Sequence, residues 1–285
     1  MASQEPEGAP AAGRHVVVTG AGSGIGRAIA LRMARDGGRV SLLGRRPEPL
    51  AETEALLAEA GGAAPFVTTC DVRDAADVAR AVAACADRLG PIEVAVANAG
   101  IGGPNGPGHQ GGDHGEGTAD RFQDRFEGLV ETNLTGTYRF LRASLDHLAP
   151  PPADPDGPER RHLVAISSIL GRIGVAGYTG YCASKAGLGG LVRALAMEVA
   201  PLRVQVNAVA PGWVDTAMAR EGLEGMAAGM GISYDEAHAL AMRDVPLGRM
   251  GRPEEIAGLV AWLTSPDACG VTGQTIDSNG GAFMI

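Results

Sequence analysis

Short apolar runs alternate with longer segments of helical periodicity from residue 15 onward, and this alternation constrains the fold more than any other feature. The runs are HVVVT (15–19), RVSLL (39–43), APFVTT (64–69), IEVAVA (92–97), HLVAIS (162–167), RVQVNAV (203–209) and GQTIDS (273–278). Predicted helices lie between the first four runs, at 24–36, 47–60 and 74–89. Strands that are apolar at successive positions are covered on both faces. The sequence therefore predicts an α/β fold with a doubly wound parallel sheet of about seven strands and helices on both faces.

The same pattern predicts a single domain over residues 14–285, because no second core is visible. The first 13 residues, MASQEPEGAPAAG, lack the basic start and apolar stretch of a secretory signal and are expected to form a disordered leader. Two stretches rich in glycine or proline, at 101–117 and 149–161, are too long for ordinary connections. They are expected to be mobile surface loops.

Composition excludes several classes of partner. The net charge of −9 and the pI of about 5.2 disfavour nucleic acid, whose phosphates require a clustered basic face. No apolar run approaches the roughly 18 residues that span a bilayer, so no membrane partner is predicted and a cytoplasmic location is expected.

The metal-ligating residue types form no convincing site. The four cysteines lack CxxC spacing and are predicted to be buried free thiols. His109, Asp113 and His114 are close together in the sequence, but a glycine-rich loop gives metal ligands no fixed geometry. No metal is predicted.

A glycine-rich turn follows the first apolar run directly, in the stretch TGAGSGIGRAIA. Gly20, Gly24 and Gly26 would let the backbone turn tightly and approach a pyrophosphate at the positive end of the next helix. The absence of GK[ST] excludes a P-loop. A tight strand-to-helix turn without a ligand is the alternative, but the flanking strand and helix favour a dinucleotide site.

The end of the second strand indicates which dinucleotide binds. In such sites an acidic residue about 20 residues after the glycines binds the ribose of NAD, whereas an arginine accommodates the 2′-phosphate of NADP. Here the chain carries Arg45 and Arg46 and no carboxylate. NADP(H) is predicted, and NAD(H) remains the alternative if both arginines are ordinary surface residues.

Lys185 is the only lysine in the sequence, and it lies four residues after Tyr181 in a segment of helical spacing. Two such residues share one face of a helix. Lowering a tyrosine pKa from about 10 to neutrality requires roughly 4 kcal/mol, which a cation about 4 Å away supplies at an effective dielectric of about 20. Burial opposes this shift, so the positive charge of an oxidised nicotinamide would help during alcohol oxidation. The pair is predicted to be an acid–base unit, with coincidence of spacing as the alternative.

Ser167 and Ser168 end the run HLVAIS, at the carboxyl edge of the sheet where ligands bind in such folds. One of them could hydrogen-bond a substrate oxygen while the tyrosine moves the proton. Serines at strand ends are common, and this pattern does not select between the two.

These motifs together resemble the short-chain dehydrogenase/reductase family, over essentially residues 14–285. They are TGAGSGIG, NAG at 98–100, Asn133, SS at 167–168, YCASK at 181–185 and PGWVDT at 211–216. The resemblance implies a Rossmann fold, a nicotinamide cofactor and hydride transfer to or from a carbonyl or secondary alcohol. The C-terminal pattern beginning at PLGRMGRPEEIAG resembles the ends of 3-oxoacyl-thioester reductases, although many other members share it.

The resemblance also implies roles for individual residues. The family spacing of thirteen between serine and tyrosine selects Ser168 over Ser167 and Tyr181 over Tyr178. Asn133 would hold a water linking Lys185 to solvent. The implied cofactor contacts are Ser23 and Ile25 in the phosphate loop, Asp71 and Val72 at the adenine, Asn98 behind the nicotinamide ribose, and Val214 with Thr216 at the carboxamide. Tyr181 and Lys185 are also expected to bind the cofactor, and the lysine ammonium could donate hydrogen bonds to its ribose.

Residues 215–251 would cover the substrate in this family. Five of the nine methionines lie in this segment, between several glycines, and would make an adaptable apolar wall. Filling of a helical core is the alternative. The resemblance further implies a homotetramer. A non-catalytic dinucleotide-binding protein, an NAD(H)-dependent alcohol or diol dehydrogenase, and an epimerase or dehydratase that uses hydride transiently remain alternatives.

Overall fold

The computed structural model describes residues 11–105, 124–151, 153–154 and 161–284. Within them the strands form one seven-stranded sheet in the order β3-β2-β1-β4-β5-β6-β7, with every neighbouring pair parallel. The strands are β1 His15–Thr19, β2 Arg39–Gly44, β3 Phe66–Thr69, β4 Val94–Ala97, β5 His162–Ile166, β6 Gln205–Pro211 and β7 Thr275–Ser278. The predicted doubly wound sheet is confirmed.

The α-helices of the described residues lie between these strands or after β6. They are α1 Gly24–Arg35, α2 Pro47–Glu59, α3 Ala75–Leu89, α4 Phe126–Val130, α5 Gly136–Leu145, α6 Thr179–Val199, α7 Ala217–Met230, α8 Tyr234–Arg243 and α9 Pro253–Leu263. The three predicted helices are present, and α3 begins one residue later than expected because Asp74 is its N-cap. The Asp74 carboxylate accepts hydrogen bonds from the backbone N–H groups of Ala76 and Asp77.

Two buried clusters cover the two faces of the sheet, as the continuous apolar runs predict. Side chains alternate along a strand, so Val16 and Val18 join the cluster beneath α1 and α9, whereas Val17 joins the cluster beneath α3, α5 and α6. All three valines are fully buried. This double cover fixes the register of the central strands and the position of their carboxyl ends.

The direction of strand succession reverses between β1 and β4, which are neighbours in the sheet although β2 and β3 come between them in the sequence. Loops after strands on either side of such a reversal diverge and leave a crevice at the carboxyl edge. The glycine-rich turn follows β1, and the NAG stretch follows β4. Both motifs therefore lie at the mouth of this crevice.

The folded region begins before the predicted boundary at residue 14. Ala11 is fully buried, and the backbone N–H of Gly13 donates to Gly37 O at 3.0 Å. Residues 11–13 therefore pack on the turn between α1 and β2, while the rest of the predicted leader lies outside the described residues. Of the two predicted surface loops, 106–117, 152 and 155–160 also lie outside them.

The cysteines agree only partly with the expectation of burial. All four are free, and Cys70 and Cys85 are buried, but Cys269 is exposed just after a short 3-10 turn that begins at Pro266. Groups of three or more possible metal ligands do not occur in the described part of the chain, which leaves out His109, Asp113 and His114. No helix that the structure describes is long and apolar enough to span a membrane.

Candidate active site

The turn between β1 and α1 has the shape of a phosphate cradle. Gly20 and Gly24 have positive φ angles of 64° and 51°, which side chains other than hydrogen rarely permit. A Cβ on Gly26 would lie 2.2 Å from Gly20 O, so the turn fits only glycine there. The first turn of α1 contains no acidic residue, and Ser23 at its N-cap uses no side-chain oxygen to cap the helix. Backbone N–H groups and the helix dipole therefore favour an anion at this position.

Asn98 fastens this turn to the neighbouring strand. Its side-chain Nδ2 donates to Thr19 O at 3.0 Å and to Gly20 O at 3.2 Å. The hydroxyl of Thr19 accepts in return from the backbone N–H of Asn98 at 3.0 Å and of Ala99 at 3.1 Å. The asparagine expected behind a nicotinamide ribose thus also holds the two sides of the crevice together.

The end of β2 presents two cations without fixed partners. Arg45 and Arg46 directly follow β2 and are exposed. Neither guanidinium forms a hydrogen bond or salt bridge with any residue that the structure describes. An anionic group next to the ribose position would therefore meet donors that no carboxylate already engages.

The end of β3 places Asp71 and Val72 beside that position. The hydrogen bond from Arg73, at 2.6 Å, holds the pKa of the Asp71 carboxyl below its usual value. Val72 is buried against Gly136, where an added Cβ would lie 2.7 Å from its Cγ2. The pair offers a fixed carboxylate and an apolar wall, which are the features expected of an adenine pocket.

Lys185 and Tyr181 lie on one face of α6, next to the end of β5. The Lys185 Nζ donates to Ile166 O at 2.8 Å and stands 5.7 Å from the centroid of the Tyr181 ring. The lysine is 5% exposed, and burial lowers its pKa to about 8. No carboxylate of the described residues forms a salt bridge with it. The ammonium is thus available to a neighbouring oxygen.

The two serines after β5 have different surroundings. The Ser167 hydroxyl donates to Lys185 O at 2.9 Å, which ties the strand end to α6. Ser168 hydrogen-bonds with the Tyr181 phenol and also accepts from Leu170 N at 3.1 Å. Ser168 and Tyr181 therefore share one small space, which is where the family spacing would place a substrate oxygen.

The expectation that Lys185 and an oxidised nicotinamide together lower the pKa of the Tyr181 phenol stays a prediction, and the protein groups around the phenol contribute as follows. Burial raises the pKa of Tyr181, and the hydrogen bond with Ser168 lowers it only in part. Removal of water from the phenolate outweighs the favourable contacts. A phenol in this setting is protonated at neutral pH and is suited to donate a proton.

Asn133 lies in a π-turn, Glu131–Thr135, that joins α4 to α5. Its buried side chain accepts from Ile101 N at 2.8 Å and donates to Ile101 O at 3.0 Å and to Ser184 Oγ at 3.1 Å. A Cβ on Gly100 would lie 3.1 Å from its Oδ1 and 3.5 Å from Lys185 Nζ. Asn133 and Lys185 therefore flank the same glycine, and π-turns of this kind often occur at functional sites.

Val214 and Thr216 close the site from the side of β6. Thr216 is the N-cap of α7, and its hydroxyl donates to Val214 O at 3.2 Å. A Cβ on Gly24 would lie 3.1 Å from Thr216 Cγ2, so α7 begins directly over the glycine-rich turn. Ile25 is half-buried beneath it. All the residues selected from the sequence thus lie at the carboxyl edge of the sheet.

Sequence reasoning missed two residues at this edge, Asn105 and Arg125. Asn105 is 3% exposed and hydrogen-bonds to the first turn of α6, and the Arg125 guanidinium donates to Gly102 O at 2.9 Å. Both belong to stretches without periodicity or a recognised motif. Their roles depend on contacts between distant segments, for which the sequence gives no signal.

A Rossmann sheet, a glycine-rich phosphate turn and a tyrosine–lysine–serine cluster define a nicotinamide-dependent oxidoreductase of the short-chain type. A family model described as enoyl-(acyl carrier protein) reductase matches residues 20–282, and the chain belongs to this short-chain dehydrogenase/reductase family. The resemblance inferred from the motifs is therefore confirmed.

The similar proteins include a 3-oxoacyl-[acyl-carrier-protein] reductase and a polyketide ketoreductase. The 3-oxoacyl-[acyl-carrier-protein] reductase MabA of Mycobacterium bovis is 33% identical over 294 residues, covering 100% of this chain and 99% of MabA. A crystal structure of an actinorhodin polyketide ketoreductase variant with NADPH is 36% identical, with a TM-score of 0.82, and covers 95% of this chain and 98% of its own. Levodione reductase is 30% identical, with a TM-score of 0.81 and coverage of 95% and 98%.

Proposed function

We propose that this protein is an NADPH-dependent ketoreductase that reduces the ketone of a 3-oxoacyl or polyketide thioester to a secondary alcohol. The observation that carries the proposal is the cluster of Ser168, Tyr181 and Lys185 at the crevice beside the glycine-rich turn. A buried phenol that carries its proton can act as the general acid in the reduction of a ketone. The similarity to MabA and to the actinorhodin ketoreductase supports this substrate class.

In the proposed mechanism the bound nicotinamide supplies the hydride, and the residues of this chain handle the oxygen. Ser168 donates a hydrogen bond to the carbonyl oxygen and holds it beside the phenol. Tyr181 gives its proton to that oxygen as negative charge develops on it. Lys185 stabilises the resulting phenolate through its charge and passes a proton back to it, and Asn133 would hold a water through which Lys185 regains a proton from solvent. Lysine suits this task because its compact ammonium fits the space beside Gly100.

The residues that would hold the cofactor fit a phosphorylated dinucleotide. Gly20, Ser23, Gly24, Ile25 and Gly26 surround the pyrophosphate position. Arg45 would bind the 2′-phosphate, with Arg46 next to it. The remaining proposed contacts are Asp71 and Val72 at the adenine, Asn98 at the nicotinamide ribose, and Val214 with Thr216 at the carboxamide.

The cofactor proposal is tested by measuring the affinities for NADPH and NADH in the wild type and in Arg45→Ser and Arg46→Ser. We expect the wild type to bind NADPH at least tenfold more tightly, and Arg45→Ser to lose most of that preference without a matching loss for NADH. If both variants keep the same ratio of affinities for NADPH and NADH as the wild type, the NAD(H)-dependent alternative is favoured.

The catalytic proposal is tested with Tyr181→Phe, which keeps the ring and removes the acid. Loss of general acid catalysis lowers rates by about 10² to 10⁴, so we expect kcat to fall in that range while NADPH binding is retained. The compounds to be tried as substrates are 3-oxoacyl thioesters, quinones, cyclic ketones and steroids, and turnover is followed by the absorbance of NADPH. Turnover at the wild-type level in Tyr181→Phe would contradict the mechanism.

The same panel separates the other functions. Reduction of small cyclic ketones alone would favour a relative of levodione reductase. Binding of NADPH without net consumption on any ketone would favour an epimerase, a dehydratase or a non-catalytic dinucleotide-binding protein.

We also propose that residues 215–251 form a lid over the substrate. Met218, on α7, lies so close to the loop after β4 that a Cβ on Gly102 would be 2.9 Å from its Sδ. Met218 and Met230 are 45% and 53% exposed, which fits a wall facing a substrate, whereas Met242 is buried and fills the core. Limited proteolysis within α7 and α8 should slow when NADPH and a ketone are both added.

We also propose that the protein forms a homotetramer and is located in the cytoplasm. Tyr138 on α5 and Met197 on α6 are 47% and 79% exposed, which is a reason to expect a partner subunit on this side. Four free cysteines suit a reducing compartment. Light scattering should give four times the mass of the 29.0 kDa chain, and a monomer would contradict the proposal.

A further inference from the structure

The helix that carries Tyr181 and Lys185 begins without a cap of its own. The N-cap of α6 is Tyr178, with φ −110° and ψ 27° and no side-chain hydrogen bond to the first turn. The first N–H groups of any α-helix lack partners inside the helix, and a helix start without acceptors frays. Tyr181 is the third residue of α6, so fraying here would move the proposed acid.

Asn105 supplies the missing cap from 75 positions away in the sequence. Its Oδ1 accepts from Gly180 N at 2.8 Å, and its Nδ2 donates to Thr179 Oγ1 at 2.8 Å. Its backbone N–H donates to Gly177 O, also at 2.8 Å. Asn105 therefore bonds to three of the four residues that directly precede Tyr181.

The other contacts of Asn105 fix the amide itself. Its Nδ2 also donates to Asp124 Oδ2 at 3.0 Å, and its backbone O accepts from Arg125 N at 2.8 Å. Because the side chain is 3% exposed and both ends of the amide are engaged, its orientation is determined. A flipped amide would place its oxygen against the Asp124 carboxylate.

Residues 101–105, which form the segment after β4, lie beside the site and have Asn105 as their last residue. Asn133 holds the first residue of that segment through both Ile101 N and Ile101 O. Arg125 holds its middle, donating to Gly102 O at 2.9 Å and to Pro104 O at 3.2 Å. The segment is thus anchored at one end to the π-turn and at the other to the start of α6.

We infer that Asn105 is a positioning residue for the proposed reduction, because it caps α6 in trans and sets the position of Tyr181 relative to Ser168. This inference rests on the proposed function for its effect on catalysis, but the capping contact can be tested without a substrate. The hydrogen bonds that Asn105 forms with described residues go to none of the proposed cofactor-binding residues, so its loss should leave dinucleotide binding largely intact.

The matched control is Asn207 in β6. It is 2% exposed, its Nδ2 donates to Val271 O at 2.7 Å, and its Oδ1 accepts from Gln274 N at 3.0 Å. Asn207→Ala therefore removes an equally buried amide whose two side-chain hydrogen bonds go to the stretch before β7 and not to α6 or the segment after β4. It reports the effect of lost stability alone.

The first readout is hydrogen exchange of residues 177–185 by mass spectrometry. We expect Asn105→Ala to raise exchange in the first turn of α6 at least tenfold, and Asn207→Ala to leave it unchanged. Equal exchange in the two variants would overturn the capping claim. A wild type that reduces no ketone would refute the proposed function while this readout still decides the role of Asn105.

The second readout is steady-state kinetics on a ketone that the wild type reduces. Asn105→Ala should lower kcat at least tenfold, keep the KM for NADPH within twofold and change the alkaline limb of the pH profile, which reports Tyr181 and Lys185. Asn207→Ala should lower the melting temperature with kcat within twofold. If kcat is unaffected in both variants, Asn105 has a purely structural role and the inference is wrong.

A rescue pair covers the case in which Asn105→Ala does not fold. Asn105→Asp keeps the acceptor for Gly180 N but places a second carboxylate against Asp124, and should lower kcat. Adding Asp124→Asn supplies a donor again and keeps an oxygen for Phe126 N, which Asp124 Oδ1 accepts at 2.8 Å. We expect the double variant to recover at least half of the lost kcat, and no recovery would overturn the inference.

Discussion

Replacing Gly26 by alanine tests whether the turn after β1 is held as rigidly as its contacts indicate. The added Cβ would lie 2.2 Å from Gly20 O and 2.4 Å from Asn98 Nδ2. Neither atom is free to move, since Asn98 Nδ2 donates to both Thr19 O and Gly20 O. The turn must shift by about an ångström, and the Asn98–Gly20 hydrogen bond must break.

The magnitude follows from these contacts. Overpacking costs about 1–3 kcal/mol, and the lost hydrogen bond about 1 kcal/mol. Alanine regains up to about 1 kcal/mol of helix propensity in α1. The net loss is about 1–3 kcal/mol, which lowers the melting temperature by roughly 2–10 °C in a domain of this size.

The assay is thermal unfolding of Gly26→Ala with and without NADPH, together with a fluorescence titration of NADPH. We expect the dissociation constant to rise at least tenfold, which is about 1.4 kcal/mol, because the displaced turn is the proposed phosphate cradle. Gly258→Ala in α9 is the control, since its added Cβ would meet only Arg32 Nη1, at 3.6 Å. It should be neutral or slightly stabilising. A Gly26→Ala protein within 2 °C of wild type and with unchanged NADPH affinity would refute the reasoning.

Three further predictions follow from other contacts. Ketone reduction should decline as pH rises above about 8, because burial lowers the pKa of Lys185 to about 8 and the ammonium is lost there; a rate independent of pH from 7 to 9.5 would contradict this. Lys185→Arg should lower kcat at least a hundredfold in the same assay although it keeps the charge, because a guanidinium is larger than the space beside Gly100. Burial lowers the pKa of His15, so the unfolded state binds the proton more readily than the folded state. The contribution of His15 to the free energy of unfolding should therefore be complete above pH about 6.5 and decrease below it. Urea unfolding at pH 7.5 and 5.5 should show a smaller loss of stability in His15→Gln than in the wild type.

The sheet was predictable because its strands carry their own signal. Runs such as HVVVT and IEVAVA are apolar at every position, and burial on both faces is the physical cause of that pattern. The glycines were predictable for a similar reason, since Gly20 and Gly24 have a positive φ and glycine is the residue type that adopts it readily. In both cases the requirement is local, so the local sequence reports it.

Residues 215–251 and the connection between β4 and β5 were less predictable. The methionines of 215–251 fitted either a wall or a core, and the structure divides them, with Met242 buried and Met218 exposed. Gly231, with φ 67°, ends α7 and separates it from α8. The π-turn that holds Asn133 changes the helical register between α4 and α5, and periodicity cannot reveal such a change in so short a helix.

The pKa of Tyr181 shows where reasoning from spacing reaches its limit. Spacing placed a cation near the phenol, and the structure has one 5.7 Å from the ring centroid. The sequence could not weigh that charge against the loss of water, and burial proves to be the larger effect.

Three asparagines hold the loops of the site in place, and they were harder to predict from the sequence than the proposed catalytic residues. Asn98 fastens the turn after β1, Asn133 the start of the segment after β4, and Asn105 the end of that segment to α6. Each joins loops that are distant in sequence, and each has an amide side chain that can both donate and accept hydrogen bonds. An apolar core cannot fix such loops, because their backbone groups must be hydrogen-bonded rather than merely covered. The crevice therefore depends on amides that no periodicity marks, and the positions of Ser168 and Tyr181 should be more sensitive to these three residues than to any single core side chain.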